Sequence, residues 1–249
     1  MVYHWIESAL LGLYPPVCLL CGADGQPGRD LCGGCRDDLP INGSPCRLCA
    51  EPLPAGARPG SICGSCLRHP PPFASCHAPF LYEPPIDWLV GRLKFHGRLA
   101  AGRVLAGLLG DALEPVSDPR PDLILPMPLH PSRLRTRGFN QATEIARPVA
   151  RRLGVPLVTD LARRIRPGAP QSRLAKALRQ ANVRGAFVVR APLAGEQIAL
   201  IDDVITTGAT AAELARTLLR AGASRVDVWA VARTSHDHEP SAFGAGSRS

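Results

Sequence analysis

Two adjacent carboxylates, Asp202 and Asp203, directly follow the apolar run 198–201 and precede a turn rich in hydroxyl side chains and glycine. Apolar residues then recur at helical spacing over 211–219. A strand, a small turn and a helix in this order place backbone N–H groups at a helix N-terminus, which favours a phosphate. Carboxylates only accept hydrogen bonds, so the two acids are suited to hold ribose hydroxyls. An ordinary capped turn uses similar residues, but it does not require two consecutive acids. The segment predicts a nucleotide-binding site.

The same residues resemble the phosphoribosyl-diphosphate (PRPP) motif of type I phosphoribosyltransferases, including its hydrophobic strand. The resemblance implies that Asp202 and Asp203 contact the ribose 2- and 3-hydroxyls. It also implies a loop that wraps the 5-phosphate of PRPP. The residues of this loop are Thr206, Thr207, Gly208, Ala209 and Thr210.

Cysteine spacing predicts two metal sites before residue 67. Eight of the nine cysteines form four Cys-x-x-Cys pairs, namely Cys18/Cys21, Cys32/Cys35, Cys46/Cys49 and Cys63/Cys66. Two such pairs complete a tetrahedral zinc site, and pairing in chain order gives a double zinc ribbon. Disulfides are disfavoured in a cytoplasmic protein. Four thioredoxin-like redox motifs would be unusual here, because no βαβ pattern surrounds them. Iron–sulfur clusters in the common ferredoxins use cysteine spacings that differ from these. We therefore expect two structural Zn²⁺ ions, with Cys76 as a small buried apolar residue.

Apolar periodicity after this region alternates between strand and helix patterns. Strands are predicted near 80–83, 123–125, 186–189, 198–201 and 226–231, and helices at 86–93, 99–109 and 138–153, the last with a kink or early break at Pro148. This alternation predicts an α/β fold with a mostly parallel sheet and helices on both faces, where ligands gather at the carboxyl ends of the strands.

Three regions of the chain differ in composition. We predict an N-terminal helix plus double zinc ribbon at 1–72, a phosphoribosyltransferase domain at 73–235 and a disordered tail at 236–249. The proline run 70–72 is the expected linker. The opening residues 1–14 are interpreted as an amphipathic helix rather than a signal peptide, because they lack a basic start and a cleavage site.

A second group of basic residues follows the strand at 123–125. Arginine occupies every second position at Arg133, Arg135 and Arg137, which concentrates positive charge suited to an anion. This block, the 93–97 segment, the 171–187 segment and the N-terminal cysteine pairs are similar to the ComF family, whose members are phosphoribosyltransferase-like proteins linked to natural competence. The resemblance extends over about residues 14–233.

The ComF-like pattern implies a pyrophosphate loop at 128–133, which includes Pro128 and Arg133. Arg137 and the arginines of 171–184 are expected to close over the pyrophosphate, although 171–184 is equally consistent with a surface helix. Lys94 and His96 are ambiguous between ligand contact and a solvated helix end.

The formal charge is +8, from 29 basic and 21 acidic side chains. This excess favours polyanionic partners, but a GC-rich genome would also inflate arginine. The sequence contains no apolar run of the roughly 18 residues that a membrane span requires. We expect a cytoplasmic protein without membrane insertion.

Three functions are compatible with these features. The first is glycosyl transfer from PRPP to an unknown acceptor, such as a nucleobase, with Mg²⁺ bridging pyrophosphate and ribose and with Asp202 and Asp203 as catalytic residues that offset positive charge on the ribose. The second is binding of single-stranded DNA through the ribbons and nearby arginines, for example Arg36, Arg47 and Arg68. The third is a regulator that senses PRPP without turnover.

Overall fold

The computed structural model describes residues 16–116, 119–167 and 183–235. The predicted N-terminal helix, the segment 171–182 and the predicted tail lie outside the described residues. The helices are α1 (Gly33–Asp37), α2 (Gly64–Arg68), α3 (Ile86–His96), α4 (Leu99–Leu113), α5 (Pro131–Arg137), α6 (Gln141–Leu153) and α7 (Ala209–Arg220). The strands are β1 (Ser75–His77), β2 (Phe80–Leu81), β3 (Leu123–Pro126), β4 (Ala162–Arg164), β5 (Phe187–Val189), β6 (Gln197–Ile205) and β7 (Arg225–Arg233).

The main sheet is parallel in the order β1–β7–β6–β3, and β2 also pairs with β7 in parallel. Side chains alternate between its faces. Ala199 and Ile201 of β6 pack in one core with α3, α4 and α6, whereas Ile198 and Leu200 pack in another with α7. The central strands are therefore almost continuously apolar because helices cover both faces. The predicted α/β architecture is confirmed.

The helix predicted over 138–153 is present as α6, but it begins only at Gln141. Gly138, which has a φ of 81°, caps the end of the preceding helix α5. Asn140 caps the start of α6, because its side chain accepts a hydrogen bond from Ala142 N. Pro148 lies inside α6 and does not end it. The buried Ile145, Val149 and other core residues of α6 outweigh the roughly 3 kcal/mol that an interior proline costs.

The predicted strand at 186–189 does not join the main sheet. Strand β5 pairs antiparallel with β4 in a separate two-stranded sheet. Its apolar composition indicated a strand, but composition alone does not select the partner.

Both zinc-ribbon segments pack against the α/β part of the chain. Leu31 and Leu39 belong to the same buried cluster as Phe80 and Leu109. The backbone N–H of the buried Asn42 donates to Pro79 O at 2.8 Å. The described residues before 73 are therefore docked on the sheet and on α4.

Asp111 of α4 anchors the first ribbon electrostatically. Its carboxylate accepts hydrogen bonds from Arg29 and Arg36 of the ribbon and from Arg152 of α6. Arg36, which the sequence suggested for DNA binding, is engaged in this cluster. Burial would raise the pKa of Asp111, but the hydrogen bonds from Arg29 and Arg152 outweigh it and lower that pKa.

Candidate functional site

The eight paired cysteines converge into two groups of four. The first ribbon gathers Cys18, Cys21, Cys32 and Cys35, and the second gathers Cys46, Cys49, Cys63 and Cys66, as predicted. Within each group all four sulfurs lie within 4.8 Å of one another. One edge of each group, Cys21 to Cys32 and Cys49 to Cys63, measures 3.7 Å between sulfurs. A Zn–S bond of about 2.3 Å requires tetrahedral edges of about 3.8 Å, so both groups fit zinc.

These sites are structural rather than catalytic in type, because four thiolates complete the coordination shell. Backbone N–H groups also support the sulfurs, since Cys63 N donates to Cys46 Sγ at 3.2 Å. Cys76 lies outside both groups in β1, where it is 3% exposed and burial raises its pKa to about 12.

The acid pair, Asp202 and Asp203, lies within β6 rather than after it. Pairing with β7 continues as far as Ile205, which extends the strand beyond its apolar run. Asp203 is 2% exposed and Asp202 is half-buried. The expectation that both acids follow the strand is therefore wrong, because strand pairing extends past the hydrophobic residues that revealed the strand in the sequence.

Lys94 at the end of α3 compensates the buried acid. Its Nζ lies 2.6 Å from Asp203 Oδ2, and its side chain is 22% exposed. That oxygen receives no hydrogen bond of good geometry from the described residues, so the ion pair is its main compensation. Burial would lower the pKa of Lys94, but the Asp203 carboxylate outweighs burial and raises it. Lys94 is therefore not a solvated helix end, because it contacts Asp203 of the acid pair.

Asp202 has a different electrostatic state from an ordinary surface acid. Burial raises its pKa well above 3.8, and the neighbouring charge of Asp203 raises it further. Lys94 only partly opposes this effect. The acid pair is therefore arranged to gain from a hydroxyl or a cation that would offset its second negative charge.

The predicted pyrophosphate residues follow β3, whose last residue, Pro126, pairs with Ile201 of β6, directly before the acid pair. Pro128 is buried in the connection to α5, and Arg133 and Arg137 are half-buried on α5. Burial lowers the pKa of Arg137, Asp203 opposes this shift and Arg133 adds to it. Arg137 therefore interacts electrostatically with Arg133 and with Asp203 of the acid pair.

Sequence reasoning missed Arg164 of β4. Its guanidinium lies 5.6 Å from the centre of the Phe187 ring, and Nε donates to Arg166 O at 3.1 Å. Burial lowers the pKa of Arg164, Arg133 lowers it further and Asp202 opposes them, so these groups share one neighbourhood. An arginine in a separate two-stranded sheet carries no spacing signal that relates it to the acid pair.

The predicted phosphate loop, residues 206–210, connects β6 to α7. Gly208 has a φ of 72°, a left-handed conformation that glycine adopts without strain, and it is the N-cap of α7. Ala209 N lies 3.4 Å from Thr207 Oγ1. The turn thus directs the first N–H groups of α7 towards the end of the sheet that carries the acid pair.

Two known families match separate parts of the chain. Residues 9–67 match the family described as "Double zinc ribbon domain", and residues 140–245 match "Phosphoribosyl transferase domain". The fold and the site therefore define a phosphoribosyltransferase-like α/β protein that carries a double zinc ribbon.

Curated relatives extend over almost the whole chain. A "DNA utilization protein YhgH" of Salmonella typhi is 37% identical over 225 residues, which is 88% of this chain and 98% of the relative. "Competence protein F" of Haemophilus influenzae is 32% identical over 87% of this chain and 96% of its own length. "Competence protein ComFC" of Bacillus subtilis is 28% identical over 85% and 92%. The chain belongs to this ComF family.

Solved phosphoribosyltransferase structures are more distant. The glutamine PRPP amidotransferase from B. subtilis, complexed with ADP and GMP, aligns with a TM-score of 0.35 at 22% identity. The alignment covers 51% of this chain and 26% of the amidotransferase. Among the described residues, no helix has the length and apolar character needed to cross a bilayer.

Proposed function

We propose that the protein binds PRPP with Mg²⁺ and transfers its phosphoribosyl group to an acceptor. The observation that carries this proposal is the acid pair near the carboxyl end of β6, with Asp203 buried and Asp202 half-buried, before a glycine-capped helix. Asp202 and Asp203 would contact the ribose hydroxyls, and residues 206–210 would hold the 5-phosphate. Arg133 and Arg137, from the neighbouring strand connection, are suited to the pyrophosphate.

The proposed reaction breaks the bond between ribose C1 and the pyrophosphate oxygen and forms a bond from C1 to the acceptor. Arg133 and Arg137 stabilise the negative charge that develops on the leaving pyrophosphate. Asp202 and Asp203 offset the positive charge that develops on the ribose ring. Their carboxylate oxygens are ligands of the type that Mg²⁺ prefers, and Mg²⁺ would supply further charge compensation when it is bound with PRPP.

Calorimetry with PRPP and Mg²⁺ tests binding directly. We expect the double variant Asp202→Asn/Asp203→Asn to lose about 1.5–3 kcal/mol of binding free energy per lost charged hydrogen bond. Equal affinity of the variant and the wild type would refute the assignment of the acid pair. Pyrophosphate release, scanned over nucleobase acceptors, separates an enzyme from a sensor, because a sensor binds PRPP and releases no pyrophosphate.

A second proposed activity is binding of single-stranded DNA, which is favoured by the names of the relatives and by the exposed Arg47 and Arg68 of the second ribbon. Each phosphate neutralised on a single strand should contribute a slope of roughly −0.7 in a plot of log affinity against log salt. The double variant Arg47→Gln/Arg68→Gln should bind more weakly and with a shallower slope. An unchanged slope would place the DNA elsewhere.

A further inference from the structure

Arg233, the last residue of β7, joins the phosphate loop to the second zinc ribbon. Its side chain is only 3% exposed. One terminal nitrogen donates to Thr206 O in the phosphate loop. The other terminal nitrogen and Nε donate to Glu51 Oε2 at 2.5 and 3.2 Å. A single buried guanidinium therefore contacts both parts of the protein.

Glu51 is held in place by the second zinc group. It lies between Cys49 and Cys63 in the chain, and its carbonyl accepts a hydrogen bond from Cys46 N at 2.8 Å. Residues Pro45 and Pro52 form a bridge on either side of this turn. The position of the Glu51 carboxylate consequently depends on the geometry of the cysteine knuckle.

A cleft of about 850 Å³ separates much of the second ribbon from the phosphate loop. One wall contains ribbon residues, including Cys63 and His69, and the other contains Thr207 and the first turns of α7. Glu51 and Arg233 also line this cleft. The hydrogen bonds between Glu51 and Arg233 therefore link the two walls of the cleft.

We infer that Arg233 is a positioning residue for the phosphate loop and that Glu51 couples this loop to the zinc state of the second ribbon. The inference rests on the proposed function in one respect, namely that the ligand of the loop is a sugar 5-phosphate. Arginine suits the role because its planar fork of donors can satisfy a carboxylate and a carbonyl together. Without Glu51, the buried cation would be drawn towards solvent in the cleft and would release the Thr206 carbonyl.

Coupling between two binding events is reciprocal. If zinc in the second ribbon favours the loop conformation that binds 5-phosphate, it raises the affinity for 5-phosphate by some factor. Bound 5-phosphate must then raise the affinity of the second ribbon for zinc by the same factor. Ribose 5-phosphate should therefore slow zinc transfer from the second group to a chelating dye and leave the first group unaffected.

The experiment uses the full zinc-loaded chain with ribose 5-phosphate and inorganic pyrophosphate as separate probes. Glu51→Gln retains the shape of the side chain and removes its charge, so this variant should bind ribose 5-phosphate about 5-fold or more weakly than the wild type. Arg233→Met should lower the affinity for ribose 5-phosphate further. Arg233→Lys should recover part of that loss because lysine keeps a charged donor. Arg225→Met is the matched control, because Arg225 lies at the other end of β7, is itself exposed and pairs with Asp227.

Two readouts separate positioning from general damage. Pyrophosphate affinity should stay within about twofold in Glu51→Gln, since well-separated sites behave independently, and zinc content should remain at two ions per chain. Hydrogen exchange of the 203–212 backbone should increase in Glu51→Gln and Arg233→Met but not in Arg225→Met.

The outcomes distinguish this inference from the proposed function. Absence of ribose 5-phosphate binding by the wild type would refute the proposed function, while hydrogen exchange in Glu51→Gln would still test the connection. Unchanged exchange over 203–212 in Glu51→Gln would overturn the inference. So would equal loss of ribose 5-phosphate and pyrophosphate affinity, because that result indicates global damage.

Discussion

Replacing Lys94 with methionine should destabilise the protein through its effect on Asp203. Methionine retains much of the length and apolar stem of lysine but removes the ammonium. In the wild type this ammonium lies 2.6 Å from an oxygen of a carboxylate that is 3% exposed. The variant therefore leaves a buried carboxylate without its cation, which is more damaging than loss of both charges.

The distance sets the scale of the effect. Two unit charges 2.6 Å apart attract each other by about 6 kcal/mol at an effective dielectric constant of about 20. Desolvation of both groups offsets part of this attraction, and removal of one buried partner typically costs about 3–5 kcal/mol. We therefore expect Lys94→Met to lose about 3–5 kcal/mol at pH 7.

Urea unfolding at fixed free zinc, followed by circular dichroism, measures the unfolding free energy of Lys94→Met, Asp203→Asn and the double variant. The double variant should be more stable than Lys94→Met, with a coupling energy of about 2 kcal/mol or more. Arg103→Met is the control, because the Arg103–Asp30 pair is mostly exposed on the arginine side and should contribute only about 0–1 kcal/mol. A loss below about 1 kcal/mol for Lys94→Met would refute the reasoning.

Three further predictions concern stability. Asp202→Asn should stabilise the ligand-free protein at neutral pH. The gain should reach up to about 1.4 kcal/mol for each unit by which burial and Asp203 raise the pKa of Asp202. It should vanish below pH 3.8, the ordinary pKa of aspartate, and a gain in urea unfolding that persists below this pH would contradict the prediction. Asp111→Asn should lose about 1–3 kcal/mol at neutral pH. Because the pKa of Asp111 is lowered, the wild-type advantage should be present above the ordinary carboxyl pKa and be lost as pH falls through the lowered value, which thermal unfolding at several pH values can test. Protein purified without added metal should contain close to two zinc ions per chain. Removal of both ions by a chelator should expose the core residues Leu31 and Leu39, which faster hydrogen exchange at both residues would detect. A content of one zinc ion in folded protein would show that one cysteine group does not bind metal.

The sequence predicted features whose geometry is local. Two cysteines separated by two residues must share a knuckle, so both zinc groups followed from spacing, and their assembly in chain order is confirmed. The β6–turn–α7 segment was equally readable, because the strand, Gly208 and the helix are consecutive.

The features that sequence reasoning missed depend on contacts between distant segments. Lys94 was ambiguous because its relation to Asp203 exists only once α3 packs beside the end of β6. Arg164 and Arg233 carried no pattern of their own, since their partners come from other strands and from the second ribbon. The burial of Asp203 was missed because strand pairing, rather than hydrophobicity, determines where β6 ends.

The position of β7 in the sheet has a consequence for how the chain folds during synthesis. This strand is made after every other described strand, yet it lies between β6 and the first strands, β1 and β2. Until residue 233 has left the ribosome, β6 has an unpaired edge and β1 has no neighbour in the sheet. Such late closure between distant segments is slow and leaves apolar strand edges exposed. The cysteine knuckles, by contrast, are synthesised first and can acquire zinc early, so that a preformed ribbon is ready to cover the sheet when its final strand arrives.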